Sequence, residues 1–179
     1  SNSEKFKNKS SFNLIPSFQT NYSLPLIKET VESSNTLTPK FSLRLSSPHT
    51  KDVRKTDRKI SYDNIYDLDR LGIDDGNEGG ISLTYGYEHS IVEKSSSEEK
   101  IKFGFANNLR LEENKDLPLN SNLGDKVSDF VGVFEYKPNK NFKFDYDFSL
   151  KNNLNDMNYE LYGFEFYLKN LTTKFEYLN

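Results

Sequence analysis

Between Asn141 and Lys151 apolar and polar side chains alternate without a break: Phe142, Phe144, Tyr146, Phe148 and Leu150 take one set of positions, and Lys143, Asp145, Asp147, Ser149 and Lys151 the other. A period of two puts the sets on opposite faces of an extended chain, so 141–151 is predicted to be a strand with one aromatic and one charged face. The alternation recurs in 12–26, where Phe12, Leu14, Phe18, Tyr22, Leu24 and Leu26 oppose Asn13, Ser17, Gln19, Asn21 and Ser23. Further strands are predicted over 39–46, 80–91, 100–111, 127–136, 157–168 and 171–177, and no stretch shows the 3.6-residue period of a helix. The fold class is therefore all-β, an antiparallel meander of about eight strands.

The connections alternate in length. A loop of roughly thirty residues, 47–79, is followed by a short link at 93–99, a medium loop at 112–126, a tight turn at 138–140 and brief links at 152–155 and 169–170. This rhythm is that of an outer-membrane barrel, with long loops outside and short turns on the periplasmic side. It assigns 47–79 and 112–126 to the extracellular side of a single domain spanning 1–179. The aromatic face then meets lipid through Phe142, Phe144, Tyr146, Phe148, Tyr162, Phe164 and Phe166. Lys40, Arg44, Lys102, Arg110, Lys143, Asp145, Asp147 and Glu165 face a water-filled lumen. A soluble sandwich has the same alternation and stays open as an alternative, as does a small closed eight-strand barrel with an adhesive or structural role.

Composition sharpens the choice between them. Only 34% of the chain is apolar, yet it carries 14 Phe and 11 Tyr, a ring content large for the core of a small sandwich and suited to a lipid-facing surface. Net charge is −3 with the two signs interspersed, unlike the basic stripe of a nucleic-acid binder. Cysteine is absent, which removes disulfides and thiolate metal sites. The single methionine is Met157, and the chain opens without a signal-peptide pattern, so it is expected to be a processed product or an excised piece.

Candidate chemistry is sparse. In 66-YDLDRLGIDDGNEGG-80, Asp67, Asp69, Gly72 and Glu78 fall at the first, third, sixth and twelfth positions of a calcium loop. Leu71 at the fifth position offers no oxygen and no helices flank the segment, so no metal is expected here. His49 and His89 lie in no metal spacing, and Gly72, Gly76, Gly79 and Gly80 read as turn residues. No grouping of nucleophile, base and acid stands out, and the expectation is a protein that is not an enzyme and needs no cofactor.

The order of pieces resembles the barrel domain of the LptD family. The likeness rests on 24-LPLI-27, 37-LTPKFSLRLSSP-48, 64-NIYDLDRLGIDDGNEGGISLTYG-86, 107-NNLRLEEN-114 and 128-SDFVGVFEYKPNKNFKFDYDF-148, in that sequence, and spans roughly residues 12 to 179. In the third stretch Arg70, Gly72 and Asp74 fall on the family's pattern, and Asp75 replaces the basic residue that often follows. The resemblance implies an open part of a larger transmembrane barrel in the outer membrane of a Gram-negative bacterium. It implies lipopolysaccharide and outer-membrane lipid as the molecules handled, with a plug lipoprotein resembling LptE and a periplasmic bridge resembling LptA as partners. It also implies that 67–78 ends an extracellular loop, with Arg70 pairing to nearby carboxylates.

Overall fold

The computed structural model describes residues 15–48, 51–73 and 77–179; Phe12, Asn13, Leu14, His49, Asp74, Asp75 and Gly76 lie outside them. Among the described residues nine strands form one sheet: β1 (Ser17–Ser23), β2 (Leu26–Glu29), β3 (Ser33–Ser46), β4 (Gly80–Glu93), β5 (Glu98–Arg110), β6 (Phe130–Asn139), β7 (Phe142–Leu150), β8 (Met157–Leu168) and β9 (Leu171–Leu178). From β3 onward each strand pairs antiparallel with the next in sequence, and β1 and β2 both pair with β3. The described residues contain no helix long and apolar enough to cross a membrane.

Nine strands replace the expected eight because the segment 12–26 is interrupted. Pro25 has no N–H to give to a ladder, and the chain leaves the strand at Leu24 and Pro25, opposite Pro39. The register survives the gap: Ser23 faces Lys40 and Leu26 faces Leu37, so β1 and β2 are two halves of one line. β3 begins at Ser33, earlier than the predicted 39, since its first half, 33-SSNTLT-38, has no apolar alternation to signal it.

The sheet is open. β1 pairs with β3 and β9 with β8, and no ladder joins β1 to β9 among the described residues. A closed eight-strand barrel needs that ladder, and a sandwich needs a second sheet. The long connections after β3 and β5, with the brief link after β7, leave one end of the sheet; the turns after β2, β4, β6 and β8 leave the other.

The two faces differ as the alternation requires. Phe18, Tyr22, Phe41, Leu43, Leu45, Leu83, Phe164, Phe166, Phe175 and Tyr177 stay exposed on one face. There rings pair across strands, Tyr146 with Tyr162 at 4.7 Å between centroids and Phe144 with Phe164 at 5.1 Å. The buried core lies on the opposite face, where Ala106, Val131 and Val133 of the sheet meet Val53, Ile60, Tyr62, Ile65 and Leu71 of the first long loop and Leu117 and Leu123 of the second. The first loop is thus folded across the polar face of the sheet.

Candidate functional site

Small residues on β4 and β5 create the seat for this loop. A side chain at Gly104 would collide with the ring of Tyr62, and one at Gly86 would meet the hydroxyl of Tyr66 as well as the backbone of β5. The Tyr62 ring therefore rests on the bare backbone of Gly104 and the Tyr66 hydroxyl on that of Gly86, the two rings in edge-to-face contact at 6.4 Å. The Lys40 amino group sits 5.5 Å from the Tyr62 ring centre and 5.9 Å from that of Tyr66. Glu88 closes the group, accepting from Lys40 Nζ at 3.0 Å and from the Tyr62 hydroxyl at 3.1 Å. Burial and the neighbouring Glu88 carboxylate push both phenols above their ordinary range.

Toward the long-loop end, three arginines converge on one carboxylate. Arg70 holds Glu78 with two bonds, Nε to Oε2 at 2.6 Å and Nη2 to Oε1 at 2.5 Å. Arg110 from β5 donates to Oε1 at 2.6 Å, and Arg44 from β3 lies 3.5 Å from Oε2. Arg44, Arg70, Glu78 and Arg110 are all buried, at 4%, 4%, 3% and 5% exposure. Other guanidinium protons are directed at neutral acceptors. Arg70 reaches Thr84 Oγ1, Ser82 Oγ, Asn108 Oδ1 and the Ile65 carbonyl. Arg44 reaches Gln19 Oε1 and the Asp67 carbonyl, and Arg110 the Gly79 carbonyl. Burial alone would raise the Glu78 carboxyl, but the surrounding guanidinium groups, Arg70 foremost, carry it down to about 2.

The calcium-like spacing of 66–80 serves this arrangement instead. Glu78, at the position of the bidentate ligand, has its oxygens engaged by Arg70 and Arg110. Asp69 instead caps the turn by accepting from the Gly72 amide, and Gly72 takes the positive φ of +56° that the turn requires. Asp74 and Asp75 fall outside the described residues.

The eight polar residues singled out from the alternation share the face that carries the loop, in two different settings. Arg44 and Arg110 are buried beneath it, so that stretch of the polar face is dry protein interior; a water-filled lumen does not reach them. The cause is the loop, which supplies Glu78 and a lid of apolar side chains. Lys40, Lys102, Lys143, Asp145 and Glu165 are partly exposed and form a chain of opposite charges toward the short-turn end. Glu135 links Lys102 at 3.4 Å to Lys143 at 3.0 Å. The carboxylate of Asp145 lies over Gly163, which leaves room for it, and Asp147 is half-buried. The seven aromatic residues singled out lie on the other face.

Sequence reasoning missed Tyr62, Tyr66, Glu88 and the counter-ion role of Glu78. A signal for the tyrosines was present: 60-ISYDNIYDLDRLGI-73 carries Ile60, Tyr62, Ile65, Tyr66, Leu68, Leu71 and Ile73, too many apolar groups for a wholly solvated loop.

Compared with known families, the chain matches the model for LptD, LPS transport system D, over residues 1–179. No curated protein matches it.

Proposed function

The chain belongs to the LptD family, and is therefore part of a lipopolysaccharide transport system of the outer membrane; from that premise we propose that it forms a sector of the wall of the translocon that inserts lipopolysaccharide into the outer leaflet. The observation that carries this reading is the two-faced open sheet: one face of exposed rings, the other of charges and buried polar groups. Lipid covers the aromatic face, and the polar face lines the barrel interior. Loops 47–79 and 112–126 stand at the extracellular end of a single barrel domain, and the turns after β2, β4, β6 and β8 at the periplasmic end.

In this setting the chain performs no bond chemistry. Its work is to exclude lipid from a polar interior and to carry loops that shape it. Lys40, Lys102, Lys143, Asp145, Asp147 and Glu165 would meet the water and the polar partners inside the barrel, a plug lipoprotein resembling LptE among them, while lipopolysaccharide arrives from a periplasmic bridge resembling LptA. The test is depletion of the full-length protein in its own cell, with surface labelling of lipopolysaccharide. Newly made lipopolysaccharide should fail to reach the surface, and normal surface arrival in depleted cells would overturn the reading.

A further inference from the structure

A loop that leaves a barrel wall can be a mobile lid or a fixed part of the wall, and its contacts decide which. Residues 51–73 touch β1, β3, β4, β5 and β8. At β1, Gln19 Nε2 donates to the Tyr66 carbonyl at 2.6 Å and Asn21 Nδ2 to the same oxygen at 3.3 Å. At β3, Arg44 donates to the Asp67 carbonyl at 2.5 Å. Across β4 and β5, Tyr62 and Tyr66 rest on Gly104 and Gly86, while Arg70 donates to Thr84 and Asn108. At β8, Lys59 lies 5.5 Å from the centre of the Tyr159 ring. The second long loop holds the near end, since the Val53 amide donates to the Asp116 carbonyl at 2.8 Å and Asn120 to Asp57.

A lid in this position would have to expose Ile60, Tyr62, Ile65 and Leu71, all at 5% or below, and would strip Glu78 of Arg70, its two-bonded partner. Apolar burial and ion pairing both oppose that movement. We infer that residues 51–73 are a fixed strap, which clamps β1, β3, β4, β5 and β8 into one rigid body and permanently fills the interior beside them. The strap is as much a part of the wall as the strands. Among the described residues no hydrogen bond, ion pair or ring contact joins β9 to it, so the order of β9 follows from its pairing in the sheet. The inference rests on the contacts of the strap and holds whether or not lipopolysaccharide is the molecule handled.

Backbone amide hydrogen exchange on the full-length protein in lipid nanodiscs tests this. Amides of 59–71 should exchange at least 100-fold more slowly than those of the turns at 94–97 and 152–155. Gly104→Val, which evicts the Tyr62 ring, should speed exchange of 59–71, β4 and β5 together by at least tenfold and leave β9 unchanged. Should that variant fail to assemble, Lys59→Met removes only the contact with Tyr159 and should speed exchange in the first residues of β8 several-fold. Exchange of 59–71 at the rate of the exposed turns would overturn the inference. So would acceleration confined to 59–71 with β4 and β5 untouched, and an unchanged β8 in Lys59→Met would remove β8 from the clamp.

Discussion

Glu78 neutralises part of a buried cluster in which three guanidinium groups face one carboxylate, and this imbalance makes it the residue whose loss should matter most. Glu78→Gln keeps the shape and removes the charge, leaving Arg44, Arg70 and Arg110 to repel one another in a dry site. Breaking such a buried pair costs roughly 3–5 kcal/mol, against about 0–1 for an exposed one. The expected outcome is a marked loss of heat-modified gel mobility for Glu78→Gln, whereas Asp52→Asn, which breaks the exposed pair with Arg54, should migrate as the parent. The pH dependence follows with its sign. The folded carboxyl of Glu78 is depressed to about 2 from its ordinary 4.5, so the stabilisation it supplies is complete above about 4.5 and is lost as pH falls through about 2. Near-ultraviolet circular dichroism of the tyrosines should report loosening within that window. An unchanged spectrum down to pH 2 would mean that the cluster does not hold the strap.

Among the strands, β7 and β8 give the cleanest contrast between the two faces, because Phe144 pairs with Phe164 on one side and Lys143 with Glu165 on the other. An arginine on the lipid face costs about 2–4 kcal/mol at the bilayer midplane, while a change among partly exposed inner charges stays near the surface-pair range. Phe144→Arg should therefore impair membrane assembly far more than Lys102→Gln, as measured by the yield of heat-modifiable protein in outer-membrane fractions. Equal yields would reverse the assignment of faces. These strands were legible from sequence because nothing but the pleat dictates their pattern: rings alternate with charges, and the fold obeys. The first half of β3 was not legible, since its Ser, Asn and Thr residues are held by pairing with β4 and carry no alternation of their own. The break at Pro25 went unread, and only the shared partner β3 shows that the two halves, β1 and β2, keep one register. The seat of the strap was least legible, because Gly86 and Gly104 acquire meaning only when Tyr62 and Tyr66, distant in sequence, arrive upon them.

At the scale of the molecule, the open sheet poses a problem that only a neighbour can solve. The outer edge of β9 has no ladder partner among the described residues, and neither do the outer edges of β1 and β2. In water such an edge is satisfied by solvent, but in hydrocarbon each unsatisfied backbone group costs several kcal/mol, and eight residues of β9 would raise the sum beyond the stability of an ordinary domain. The side chains of β9 do not protect the edge: Leu171, Phe175 and Tyr177, on the aromatic face, are exposed and apolar, which suits contact with lipid. In the bilayer, then, β9 should be paired on both sides, through further strands that carry the meander around to the edge of β1. The prediction is that amides of β9 in the full-length protein in nanodiscs exchange as slowly as those of the central strands β5 and β6. Because β9 lies beyond the strap, that protection should persist in Gly104→Val, which separates closure of the wall from clamping by the loop. If β9 instead exchanges like a turn, its edge faces water, and this part of the sheet does not stand in the hydrocarbon of a membrane.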